Sequence, residues 1–216
     1  MKDAEERSRE VGLLLACGKK EERLNLLAQL FVGHRERLHT MVRLRLDGRL
    51  RARLSTSDVL QEAYLEVQKR LEQYLHAPPM PFYLWLRRIT AQKLFELQRF
   101  HLGLQKRAAD REVADDGGGV ASTTSEGLSL ALVGSGPSPS DAAARDELRA
   151  RLEAALEQME PADREVVALR HFEQLSGPET AEILGIGVEA ARKRYLRAME
   201  KLKKVLMSVP GMPWEL

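Results

Sequence analysis

The chain has 216 residues, which fits one or two domains. Apolar residues make up 44% and aromatics only 5%, while 34 Lys and Arg balance 32 Asp and Glu to a net +2. That mixture excludes a membrane-embedded protein, predicts helices, and leaves local charge distribution as the informative quantity.

One cysteine, Cys17, excludes an internal disulfide and a thiolate zinc cluster, and fits a reducing cytoplasm. The apolar run 11–17 follows acidic residues, precedes "GKKEER" and is too short to cross a bilayer. A soluble cytoplasmic protein with no membrane contact is expected.

In chain order, the pattern predicts two small helical domains joined by a flexible linker, an all-α protein. Residues 1–107 carry long helical periodicity. In 21–46, Leu24, Leu27, Phe31, Leu38, Met41 and Val42 form one stripe, with Asp47-Gly48 able to end it. At 54–75, Ser55 and Asp58 have capping-box spacing, and Leu60, Tyr64, Val67, Leu71 and Tyr74 form the apolar face. The opposite face carries Asp58, Gln61, Glu62, Leu65, Glu66 and Lys69. Three prolines in "HAPPMP" (76–81) break the helix. A second long helix over 82–107 turns Leu86, Ile89, Leu94 and Leu97 inward and carries a basic flank that includes Arg87, Arg88 and Lys93. Trp85 reads mainly as core.

Residues 108–140 are rich in Gly, Ser and Pro and acidic, which reads as a flexible linker. Only the apolar "LSLALV" (128–133) suggests local docking there. Residues 141–207 are helical again, beginning with a helix over 141–159; Pro161 suits the first turn of the next. The remaining tail, 208–216, reads as disordered.

The last zone carries the sharpest local motif. Ser176 and Glu179 have capping-box spacing. Counted from Gly177, Ala181 is fifth, Gly185 ninth and Ala191 fifteenth, the arrangement of a helix-turn-helix. A small fifth residue permits close helix approach, and a glycine at the ninth takes the turn without strain. Between 192 and 204 lie Arg192, Lys193, Arg194, Arg197, Lys201, Lys203 and Lys204, with Glu200 the only acid. A solvated helix face mixes signs more evenly. Cations hold phosphates, whereas the first turns of the second helix approach base edges; Val188, Glu189, Ala190, Lys193 and Arg194 are the candidates.

No Gly-rich phosphate loop, metal-ligand cluster or nucleophile elbow occurs. No enzymatic activity, metal or cofactor is expected. From the motif alone, a helix-turn-helix repressor or activator with a helical sensor or dimerisation domain is one reading; a helical interaction module is another.

The stretches "STSDVLQEAYLEVQKRLEQY" and "FYLWLRRITAQKL" resemble the second conserved region of bacterial RNA polymerase sigma factors. "LEQMEPADREVVALRHFEQLSGPETAEILGIGVEAARKRYLRAMEKLKKVL" resembles their fourth region. The two-domain size resembles the extracytoplasmic function (ECF) class, and "PMPFYLWLRR" resembles sigma factors of planctomycetes. The resemblance implies a factor that binds core RNA polymerase and directs promoter-specific initiation, melting the −10 element and reading the −35 element. It implies that Asp58, Gln61, Glu62, Leu65 and Glu66 meet the clamp coiled coil of the largest polymerase subunit. It gives Arg87, Arg88, Gln92 and Lys93 to the −10 element, with Gln92 where relatives often carry Asn. It gives Val188, Glu189, Ala190, Arg192, Lys193, Arg194 and Arg197 to −35 DNA. An anti-sigma factor is a further partner open to such a protein. Three departures stand out: the proline-rich "HAPPMP" loop, Gly187 where Ser or Thr often caps the helix, and Ala190 in place of a frequent Thr.

Overall fold

A computed structural model describes residues 10–109, 122–134 and 142–209. Among the described residues every regular element is helical. The chain divides into two compact units: 1–42 with 49–121, and 43–48 with 122–216. The tail 208–216 lies outside the described residues beyond Val209.

In the first unit, α1 covers 10–16, α2 Lys20–Gly33, α3 Arg35–Arg45 (its last residues, 43–45, counted with the second unit), α4 Thr56–His76 and α5 Phe82–Ala109. The stripe over 21–46 is not one helix. It is interrupted at His34 (φ −94°, ψ −1°), whose Nε2 lies 2.7 Å from Glu10 Oε1. The interior is apolar and aromatic. Leu27, Phe31, Leu38, Met41 and Val42 are buried as the periodicity predicts, while Leu24 is half-buried. On α4, Leu60, Val67, Leu71 and Tyr74 are buried and Tyr64 is half-buried; Phe82, Trp85, Leu86, Ile89 and Leu94 bury the facing side of α5, and Leu97 is half-buried.

The start of α4 follows directly from its sequence. Ser55 Oγ accepts from the Asp58 N–H at 3.1 Å, while Asp58 Oδ2 accepts from the Ser55 N–H at 2.9 Å. Each satisfies a backbone or hydroxyl group that the helix itself leaves unbonded. The proline break after His76 is fastened by Tyr74, whose hydroxyl donates to the Met80 carbonyl at 2.9 Å. Burial pushes the Tyr74 phenol above its ordinary pKa, with the Glu10 carboxylate adding to it, so the hydroxyl stays a donor across the working pH range.

The second unit contains α6 (Ser125–Val133), α7 (Ala142–Leu156), α8 (Pro161–Val167) running into a π-helical turn over Ala168–Phe172, α9 (Gly177–Leu184) and α10 (Val188–Ser208). Leu128, Leu152, Leu156, Val166, Ala198 and Leu202 meet in its core, together with Leu44 from the short segment 43–48.

Helix α6 corrects the expected flexible linker over 122–134. The apolar run 128–133 gives that segment something to bury, and Leu128 reaches full burial. Thr124 caps the helix by accepting from the Gly127 N–H at 2.9 Å, and its own N–H donates to the Leu44 carbonyl at 3.0 Å. Gly127 is required there: a Cβ would stand 2.4 Å from the Leu44 oxygen. The rest of the expected linker, 110–121 and 135–140, lies outside the described residues.

One charge sits inside this second core. Arg45 is 1% exposed and pairs with Glu165 at 2.5 Å and Glu173 at 2.6 Å. Burial opposes its charge, but the two carboxylates outweigh burial and hold the guanidinium above its ordinary pKa. Glu165 also accepts from the N–H and hydroxyl of Thr123, at 2.9 and 2.6 Å.

Candidate nucleic-acid interface

The second unit carries one candidate surface and the first carries two. In the second unit, Ser176 and Glu179 form the expected capping box at the start of α9. The helix ends on Gly185, which adopts the left-handed conformation (φ 64°, ψ 32°) that favours glycine. Ala181 and Ala191 are buried as the fifth and fifteenth positions of the motif require. Helix α10 then begins at Val188 behind Gly187, which offers no side-chain cap.

The first three turns of α10 carry the side chains expected at −35 DNA. Val188, Glu189, Ala190, Arg192, Lys193 and Arg197 are exposed and Arg194 is half-buried. Val188, 48% exposed, offers an apolar contact beside this charge. Arg192 lies 3.8 Å from Glu189, a loose pair between two exposed side chains that leaves both available. Farther along, Lys201 bonds Asp163 of α8, so that cation ties α10 to its own unit. Lys203 and Lys204 remain exposed.

In the first unit, α4 presents Asp58, Gln61, Glu62 and Leu65 at helical spacing on one exposed face. Leu65 is 50% exposed, an apolar centre among acidic and amide groups. Glu66 differs from these four. Its side chain is 16% exposed and bonds Arg70 at 2.6 Å, with Lys69 at 3.4 Å. The Arg70 hydrogen bond outweighs a small burial effect and holds the Glu66 carboxyl below its ordinary pKa. Ser55 does the same for Asp58, through the side-chain bond first and the backbone bond second.

Helix α5 separates the four residues expected at the −10 element. Arg88 is exposed and Gln92 half-buried, and both line a cleft of about 210 Å³. Arg87 is a correction: only 4% exposed, it lies in the interior, because its position on α5 falls on the same side as the buried Leu84 and Ala91. It is a structural residue in this unit and not a phosphate contact. Lys93 bonds Glu96 at 2.7 Å, which holds its ammonium above the ordinary pKa and offsets part of its charge toward any external anion.

The cleft is built by residues the sequence did not single out as a group. Trp85 stacks on Tyr74, centroids 4.2 Å apart at 19°, and both line it with Arg70 and Pro79. Trp85 is thus core, as expected, and also a cleft wall. Flat rings beside guanidinium and amide donors suit a planar heterocycle with hydrogen-bonding edges. The i,i+4 spacing of Glu66 and Arg70 signalled their ion pair. Nothing in the sequence signalled that Arg70 reaches Gln92, 22 residues away, at 3.2 Å. Among the described residues no cluster of His, Cys, Asp and Glu could hold a metal, and no helix is long and apolar enough to cross a membrane.

Comparison with known proteins places these surfaces in context. Residues 149–202, from the second half of α7 through α8 and α9 to most of α10, match the family model for sigma-70, region 4. The chain is similar to the RNA polymerase sigma factor CnrH of Cupriavidus metallidurans, 33% identical over 155 residues that cover 69% of this chain and 72% of that protein. It is also similar to the probable RNA polymerase sigma factor RfaY of Xanthomonas campestris pv. campestris, 31% identical over 155 residues, 71% of this chain but 34% of that longer protein. In fold it resembles the solved structure of CnrH in complex with the cytosolic domain of CnrY, with a TM-score of 0.53, 23% identity and coverage of 94% of this chain and 95% of that one. The chain belongs to the RNA polymerase sigma factors of the extracytoplasmic function class, which direct transcription initiation.

Proposed function

We propose that the two units divide promoter recognition between them. The second unit reads the −35 element as duplex, with Val188, Glu189, Ala190, Lys193 and Arg194 near base edges and Arg192 and Arg197 on phosphates. The first unit docks on the clamp coiled coil of the largest polymerase subunit through Asp58, Gln61, Glu62 and Leu65. Its α5 cleft, with Arg88 and Gln92, takes part in opening the −10 element by holding an unpaired base. The observation that carries this reading is the exposed start of α10 behind the Gly185 turn, a geometry that lets a helix enter a major groove.

The protein acts in the cytoplasm without catalysis of its own. An anti-sigma factor is a fitting regulator, since the CnrH structure similar in fold was solved with the cytosolic domain of CnrY. The planctomycete-type affiliation rests on "PMPFYLWLRR" and "LRHFEQLSGPETAEILG" and is part of the same proposal.

Co-purification with core polymerase, followed by transcription from a promoter library, tests this. The wild-type chain should bind core and confer initiation at a defined set of promoters. The double variant Asp58→Arg, Glu62→Arg should lose most core binding while keeping salt-dependent binding of the second unit to duplex DNA. A wild-type chain that binds duplex DNA but ignores core would favour the repressor or activator reading.

A further inference from the structure

The polar wall of the α4/α5 cleft comprises Arg70, Gln73, Arg88 and Gln92, so it holds more hydrogen-bond donors than acceptors. Arg70 and Arg88 can only donate. Gln92 could in principle do both, since a free amide offers an oxygen and an N–H group to a base edge. Here its Oε1 already accepts from Arg70 Nη1 at 3.2 Å. Arg70 is itself held, because its Nε donates to Glu66 Oε1 at 2.6 Å, and Glu66 is further fixed by Lys69. The three side chains form a relay from α4 to α5. With one of the two lone pairs of its oxygen engaged, the Gln92 amide offers the cleft chiefly its N–H donors.

The cleft is small. Its volume of about 210 Å³ lies below the roughly 300–1,000 Å³ of sites for drug-sized ligands, so it suits a single ring system. The stacked pair of Trp85 and Tyr74, itself buried, lines one side of it.

We propose that Glu66 and Arg70 are positioning residues that set the base specificity of this cleft. Through them Gln92 is a donor, and the unpaired base it holds carries a keto oxygen on the presented edge, thymine or guanine, in preference to adenine or cytosine. The O4 of thymine or O6 of guanine accepts from the amide and the guanidinium groups, whereas the N4 amine of cytosine or N6 amine of adenine in the same place would set donor against donor. The specificity resides in the relay: with Arg70 removed, the same Gln92 regains its oxygen and can pair both its groups with adenine, as free Gln and Asn side chains do. The inference rests on the −10 reading of α5 given above.

The test uses full-length chain with core polymerase and a promoter library in which each position of the −10 region is varied singly. Initiation is read as the ratio between templates within one holoenzyme, so a loss of core binding by a variant cancels. Wild type should prefer a keto base at one position by about fivefold or more, the lower end of what a specific base contact supplies. Arg70→Met should bring that ratio close to one, through a gain for adenine, and leave the other positions unchanged. Glu66→Gln, which keeps size and shape, should move the ratio in the same direction by a smaller factor; it covers the case in which Arg70→Met does not fold. Wild-type preference for an amino base at the position that responds to Gln92→Ala overturns the proposal. So does an unchanged ratio in both relay variants, and in that case the −10 reading survives if Gln92→Ala still alters one position. If Gln92→Ala alters no position, the cleft does not read a base and both fall.

Discussion

The two units use charged side chains in opposite ways. In the first, ionic groups on α4 and α5 engage one another: Glu66 with Arg70, Arg70 with Gln92, Lys93 with Glu96. What remains for external partners is a shaped cleft and an exposed α4 face. In the second unit, Arg45 is sealed in the core and Lys201 is tied to Asp163, while most of the cations on the first three turns of α10 are displayed to solvent. A flipped base needs fixed donors in a pocket, because discrimination comes from geometry. A duplex needs a protruding helix whose cations can settle on phosphates. The contrast teaches that a basic residue on a helix says little until its local partners are known. Arg87 and Lys193 look alike in sequence, yet one is interior and the other faces solvent.

The largest expected effect breaks this contrast at Arg45. Arg45→Ala leaves Glu165 and Glu173 without their buried partner and should cost about 3–5 kcal/mol. Hydrogen exchange of the full chain measures it: amides of α8 should lose protection while those of α4 keep theirs. Equal loss in both units would show that the two are not independently stable.

Next in size is the turn between α9 and α10. No atom stands within 4 Å of a Cβ placed on Gly185, so its substitution is a backbone problem alone. Gly185→Val should cost about 1–2 kcal/mol, and Gly185→Asn less, because Asn tolerates the left-handed conformation. Thermal unfolding provides the stability difference. On the proposed division of roles, binding of duplex −35 DNA should weaken in parallel while core binding stays unchanged.

The smallest effect sharpens the comparison, because both units start a helix with the same device. The Ser176–Glu179 box is partly buried and the Ser55–Asp58 box is exposed. Ser176→Ala should fall toward the upper part of the roughly 0.5–2 kcal/mol range for lost caps, and Ser55→Ala toward the lower part. The Ser55 bonds hold Asp58 below its ordinary pKa, so folding favours the ionised carboxylate. That stabilisation is present above the ordinary Asp value of about 3.9 and is lost as pH falls through the lower folded value. The cost of Ser55→Ala in urea unfolding should therefore shrink on acidification from neutral pH. A cost that grows instead would contradict the assigned bonds.

Much of this was written in local sequence. Capping boxes, the proline break, the glycine turn and the buried alanines of the helix-turn-helix each depend on residues within a few positions of one another. Such short-range requirements leave few alternatives for the backbone. The exposed reading face of α10 followed in the same way, from a run of cations after a turn.

What sequence alone could not decide depends on pairs far apart in the chain. The interruption at His34 accompanies a contact with Glu10, and the helix at 125–133 depends on Leu44 and Glu165. Arg87 reads as basic flank until packing turns it inward. Gln92 reads as an unengaged amide until Arg70 donates to its oxygen. Periodicity records which face of a helix is apolar, but not which partner reaches a polar group across 22 or 120 residues. Side-chain hydrogen bonds and buried ion pairs are fixed only once helices pack, so the tertiary structure decided which charges are displayed and which are already bound.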